Sequence, residues 1–137
     1  MIEAQIAAFF VALGIVISLY VIYVISQRRR LKRLLAGREQ ISAPRFGAHF
    51  YEDPARAEVA SFIMQKLEEL TGYTFTGAVP TDRVQEDLQL GELDSMASVE
   101  ILVALEDHYR ITVSDSEAVE TKTIGDLVEL VLSKRGS

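Results

Sequence analysis

The chain has 137 residues, 49% of them hydrophobic, and a net charge of −6 from 14 basic and 20 acidic side chains. That length suits one modest domain with an appendage rather than two large domains. The absence of Cys excludes a disulfide scaffold, a thiolate metal site and a Cys nucleophile, and the negative charge with few aromatics argues against a nucleic-acid partner. The totals average two unlike segments. Residues 1–53 carry seven basic and four acidic side chains, net +3, whereas residues 54–137 carry seven and sixteen, net −9.

From Ala4 to Gln27 there are 24 residues without a charge, most of them Ala, Val, Ile, Leu, Phe or Tyr. A helix of that length spans roughly 36 Å, enough for a hydrocarbon core of about 30 Å. A single span in lipid must be helical, because its backbone has to satisfy its own hydrogen bonds. A cleaved signal peptide would start with a basic region, have a shorter apolar run and end at small residues. Here the start is Met1-Ile2-Glu3 and the run closes on Ser26-Gln27-Arg28-Arg29-Arg30, so a retained anchor is expected. The basic cluster Arg28, Arg29, Arg30, Lys32 and Arg33 predicts a cytoplasmic flank, with the N-terminus outward and the remaining chain in the cytoplasm. Leu31, Leu34 and Leu35 among those cations read either as a short helix continuing along anionic headgroups or as a plain stop-transfer flank.

Residues 37–53 contain Pro44 and Gly47 with no sustained periodicity, and they read as a linker or a loosely docked loop. Phe46, Phe50 and Tyr51 are aromatic enough to pack on the domain or lie at the membrane interface. The domain proper is assigned to residues 54–137. Asp53 and Pro54 form an N-cap and first-turn pair. Val59, Phe62, Ile63, Met64, Leu67 and Leu70 follow at helical spacing, and Gly72 is the C-cap. Tyr73 to Leu93 reads as a long loop with one turn around Asp82–Asp87.

A second helix is expected to start at Asp94-Ser95. Ile101, Leu105 and Tyr109 form an i, i+4, i+8 row suited to a core. Met96, Val99 and Val103 form a second row on another face, edged by Glu100, Glu106 and Asp107. This second row is either more core or a docking surface. Ile111-Thr112-Val113 is a short extended stretch and Asp115 opens a brief helix. Thr121 or Thr123 caps a last helix bearing Ile124, Leu127, Val128, Val131 and Leu132. His108 reads as an ordinary helix residue, with no nucleophile–base pair near it.

The run Glu92-Leu93-Asp94-Ser95-Met96-Ala97-Ser98-Val99-Glu100-Ile101 resembles the acyl carrier protein superfamily, whose signature is Asp-Ser-Leu, or Asp-Ser-Met in the D-alanyl carrier branch. Further similarities follow in order. Glu86-Asp87-Leu88 stands before the motif. Ile111-Thr112-Val113-Ser114-Asp115-Ser116-Glu117-Ala118 resembles the opening of the family's third helix, and Thr123-Ile124-Gly125-Asp126-Leu127-Val128 that of its fourth. Ala97 departs from the Asp usual in acyl carriers. With Met96 and the longer loop before the motif it leans toward the aminoacyl or D-alanyl branch, while the acidic second helix leans the other way.

The resemblance implies a small four-helix bundle, and with the apolar run read above as one N-terminal transmembrane helix (residues 1–36 with its basic flank) the whole is expected to be an all-α protein. The resemblance further implies that Ser95, flanked by Asp94 and Met96, receives a 4′-phosphopantetheine arm from a phosphopantetheinyl transferase. The arm brings the thiol that the chain lacks. Met96, Val99, Glu100, Val103, Glu106 and Asp107 would dock acyl-activating enzymes, acyltransferases or synthases, while residues 4–27 contact membrane lipid. The expected function is that of a membrane-tethered, non-enzymatic carrier of an acyl or aminoacyl thioester at the cytoplasmic membrane face. The alternative is an adaptor subunit that keeps the fold without the arm, to be told apart by a stable complex indifferent to Ser95.

Overall fold

The computed structural model of the chain describes residues 1–88 and 96–135. Among these residues run six helices and no strand: α1 (Ile2–Ala36), α2 (Ala43–Phe50), α3 (Pro54–Thr71), α4 (Ala97–Tyr109), α5 (Asp115–Glu120) and α6 (Ile124–Arg135). The all-α class expected from the sequence holds, and α3 to α6 are the four helices of the expected bundle. The expected second-helix start at Asp94-Ser95 lies outside the described residues.

The charge-free run and its basic flank form one unbroken helix. Its stretch Ile2–Arg33 is long and apolar enough to cross a membrane by length and composition, and none of its most apolar window is buried. The last turns behave differently. Leu31 and Leu35 are only 3% and 5% exposed, because they lie on the loop around Gly77. A Cβ on Gly77 would stand 2.3 Å from the Leu35 carbonyl oxygen, so the approach of the two backbones requires glycine there. After α1, the Gln40 amide donates to the carbonyls of Leu35 and Arg38 at 2.9 and 2.8 Å, satisfying acceptors that a helix end leaves open. The Ile41 N–H then donates to the Thr76 carbonyl.

The stretch read as a linker holds α2. Pro44 sits in its first turn, where a missing N–H costs nothing. Ala43 and Phe46 are buried, and Gly47 lies flush against α3, its N–H donating to Ser61 Oγ at 2.8 Å. Pro and Gly read as breakers in isolation. Here one marks a helix start and the other a contact point between helices.

α3 is the helix on which the others assemble, since α2, α4 and α6 all pack on it. Val59, Ala60, Ile63, Met64 and Leu67 recur at helical spacing and are completely buried. Its expected ends are present. The Asp53 carboxylate accepts the Ala55 N–H, and Gly72 ends the helix in the left-handed conformation at φ 71°. Arg56 grips Asp53 and, from α6, Glu129, tying the two helices at the surface.

The long loop after α3 is not loose. Phe75, Ala78, Val84 and Leu88 are buried and fill the core beside α3. The expected turn is present, with the Asp87 and Leu88 N–H groups donating to the Arg83 carbonyl. Asp82, 4% exposed, is the one buried charged side chain among the described residues. It accepts the Val79 N–H at 2.9 Å and the Arg38 guanidinium, while its own carbonyl accepts the Ile124 N–H.

A Cβ placed on Gly47 would lie 1.7 Å from the Ala57 carbonyl oxygen and 2.5 Å from its carbon. Gly47→Ala is therefore expected to destabilise the domain by about 1–3 kcal/mol, the range for overpacking against a backbone that can only partly yield. Urea unfolding of the full chain in detergent, followed by circular dichroism, measures it. An unchanged midpoint would mean that α2 is not seated on α3.

Candidate functional site

The two rows read on the second helix separate cleanly. Ile101 and Leu105 are 2% and 1% exposed and point into the core with Ala97, and Tyr109 packs against it. Met96, Val99 and Val103 stand 56%, 51% and 57% exposed on the opposite side. Glu100 and Asp107 are exposed beside them. Of the eight residues singled out, Asp94 and Ser95 lie outside the described residues. The other six occupy the first turns and outer face of α4 and its C-terminal end.

Glu106 has a second occupation that its sequence did not signal. It is half-buried, and its carboxylate accepts the Val113 N–H at 3.2 Å, holding the 111–114 stretch against α4. The chain reverses there through Arg110, a non-glycine residue at φ 56°, with the Ile111 N–H donating to the Glu106 carbonyl. Ile111-Thr112-Val113 accordingly forms a connector and no strand. His108 is exposed and stacks on Phe62 at 4.1 Å between ring centroids.

Beside the first turns of α4 lies a groove of about 420 Å³. Ser98, Val99, Ile101 and Leu102 form one wall, Ala118 and Val119 of α5 the other, and Val84 and Leu127 its floor. Arg83, Glu86 and Lys122 also line it. The volume falls in the usual range for a small-molecule site, and the lining is mainly aliphatic. No single stretch of the chain signals this groove, because separate segments supply its walls and each side chain looks like ordinary core or surface by itself.

The far wall is well secured. Ser114 and Glu117 form a reciprocal capping box at the start of α5, and Lys134 of α6 bonds the Glu117 carboxylate at 2.8 Å. The expected cap of α6 is Thr123. Its hydroxyl accepts the Asp126 N–H at 3.0 Å, and Asp126 accepts the N–H groups of Lys122 and Thr123 in return. Burial works against the Asp126 carboxylate, but those N–H bonds outweigh it and hold its pKa below the ordinary value. Thr121 turns its hydroxyl back to the Glu117 carbonyl.

Among the described residues the domain is thus four helices, with an apolar groove at the first turns of α4 and an exposed acidic edge beside it. The family model described as "Phosphopantetheine attachment site" matches residues 62–131, half of the chain, and the protein belongs to that family. Similar proteins include the meromycolate extension acyl carrier protein of Mycolicibacterium aurum, 29% identical over 56% of this chain and 76% of that one. The protein of the same name from Mycobacterium tuberculosis is 31% identical over 54% of this chain but only 62% of its own length, so the match covers less than two thirds of it. An acyl carrier protein of Rhodococcus erythropolis is 31% identical over 54% and 78% respectively. The group that this family holds, covalently, is 4′-phosphopantetheine, and the protein is not an enzyme. The residues present suit such a group. The N-terminal end of α4, whose Val99 and Glu100 N–H groups donate to the Met96 carbonyl, is the positive end of the helix and favours a phosphate, and the groove beside it offers an apolar surface.

The bond from Lys134, with those from Ser114, lowers the Glu117 pKa from the ordinary 4.5 to about 2. A depressed carboxylate contributes stability that is complete above the unfolded value and drains away as pH falls toward the folded one. The wild-type chain is therefore expected to lose stability from about pH 4.5 down to pH 2, and Glu117→Gln to lose part of that slope. Thermal melts across this range check it, and identical slopes in both proteins would remove Glu117 from the account.

Proposed function

We propose that the protein is a membrane-tethered acyl carrier whose 4′-phosphopantetheine arm is attached to Ser95 and which serves enzymes at the cytoplasmic membrane face. The observation that carries this reading is the aliphatic groove at the first turns of α4, immediately after Ser95 in the chain. Its lining offers contact to a hydrocarbon cargo. An aminoacyl cargo would call for a counter-charge, and Glu86, the carboxylate among the lining residues, is paired with Arg83. The names of the similar proteins point the same way, since they are acyl carriers, two of them of meromycolate extension.

When bound, the arm supplies a thiol that holds the acyl group as a thioester. The chain's own part is to present and release. Asp94 and Met96 flank the attachment serine in the chain, directly ahead of α4. Met96, Val99 and Val103 offer an apolar patch, with Glu100, Glu106 and Asp107 as its acidic border. Encounters steered by such a border are fast, weak and sensitive to salt, as a carrier that must leave each enzyme requires. Glu106, engaged with Val113, contributes its charge from a fixed position.

The tether is α1, with its N-terminus outward and Arg28 to Arg33 on the cytoplasmic side. Tethering keeps the carrier at high local concentration near membrane-bound partners, which suits a product destined for lipid or envelope. The domain organisation that goes with this reading is an anchor over residues 1–36, a connection over 37–53 that contains α2, and a carrier domain over 54–137.

Co-expression with a phosphopantetheinyl transferase is expected to add the mass of one phosphopantetheinyl group, and Ser95→Ala to abolish the addition, by intact-protein mass spectrometry. An unmodified Ser95 under several transferases would overturn the proposal and favour the unmodified adaptor. The docking surface is tested by reversing charge in Glu100→Lys/Asp107→Lys. Loading by a partner enzyme is expected to slow by about tenfold at low ionic strength, with the difference closing as salt screens it. A deficit equal at all salt concentrations would argue against electrostatic docking.

A further inference from the structure

Between the end of α1 and the turn after α3 lies a second cleft, of about 600 Å³. Arg28 and Lys32, one helical turn apart, line its α1 side. Leu31 and Leu35, almost fully buried, form its floor. Tyr73 and Thr74 complete it, and the Arg28 guanidinium lies 4.8 Å from the centre of the Tyr73 ring.

We propose that this cleft binds the headgroup of an anionic phospholipid. The proposal rests on the reading of α1 as a membrane span. The charge-free run ends at Gln27, so Arg28 and Lys32 fall at the depth where phosphates begin. The lining holds two cations and no carboxylate, although residues 54–137 carry a net charge of −9. An anion near this domain is therefore repelled by most of its surface and attracted here. Arg28 provides a planar fork matched to phosphate oxygens, Lys32 a mobile point charge, and Thr74 a hydroxyl. Leu31 and Leu35, almost fully buried beneath these groups, hold the shape of the cleft, and the acyl chains of a lipid bound there would run along the membrane side of Arg28, a contact that free phosphate has no use for. Arg29 and Arg33, on the same helix, are outside the lining. They separate a formed cleft from a general basic collar.

The full chain is reconstituted in nanodiscs of phosphatidylcholine, with or without phosphatidylglycerol at about one lipid in five. Lipids retained on release from the disc are counted by native mass spectrometry. The wild type is expected to keep one phosphatidylglycerol. Arg28→Gln/Lys32→Gln is expected to weaken that retention about thirty-fold, while Arg29→Gln/Arg33→Gln keeps it. Equal losses in the two double variants, or no retained phosphatidylglycerol in the wild type, would overturn the proposal. So would inorganic phosphate added to phosphatidylcholine discs, if it occupies the cleft as well as the lipid does. Insertion of α1 is read separately, as resistance of the wild type to alkaline carbonate extraction. Retention in the membrane with no bound phosphatidylglycerol refutes the cleft alone, whereas extraction refutes the span and the cleft together.

Discussion

Asp82 is the point through which the separate parts of the chain are joined. Its carboxylate takes the Val79 N–H and the Arg38 guanidinium, and its carbonyl takes the N–H of Ile124 at the start of α6. One residue thus ties the end of α1, the loop that leads to Ser95 and the last helix of the bundle. A buried carboxylate is tolerated only where hydrogen bonds replace its hydration, and this one has a backbone donor and a cationic donor. Arg38 is 40% exposed, so solvent weakens the Coulomb attraction, and the fixed backbone bond does more to define the geometry. Neighbouring bonds reinforce it. The Gly125 N–H donates to the Pro80 carbonyl at 2.8 Å, and Arg83 bridges to Thr123.

With that loop secured, α3 can bury one face against three helices while α4 divides its residues between core and solvent. The groove is a product of this division. Ile101 belongs to the core and Val99 to the outer face, and the space between them is closed from the other side only by the short α5. A six-residue helix has little intrinsic stability, so its capping box and the Lys134 bond are what keep this wall in place.

The main helices of the bundle were legible because their signals are local. Periodic apolar residues, Asp53 before Pro54, Gly72 after Thr71 and the Ser114–Glu117 box each specify a boundary within a few residues. The division of α4 into two rows was legible for the same reason, while the exposure of the Met96, Val99 and Val103 row came only with the packing. What local reading missed depends on tertiary contact. Gly47 is explained by the backbone of α3 and Gly77 by that of Leu35, neither of them near in sequence. The groove needs separate segments of the chain, and the tie between Glu106 and Val113 needs the chain reversal at Arg110. The motif around Ser95 was recognisable only as a resemblance, since a serine ahead of a helix is otherwise an ordinary cap.

The docking of Leu31 and Leu35 has a mechanical side. A helix of 35 residues is about 52 Å long, and its final turns are pinned to the loop around Gly77 rather than left on a free hinge. If α1 crosses a bilayer as proposed, a thinner or thicker membrane changes its tilt. The pinned joint would convert that tilt into a rotation of the whole domain, carrying α4 toward or away from the surface. Bilayer thickness then becomes a setting of the carrier's working height.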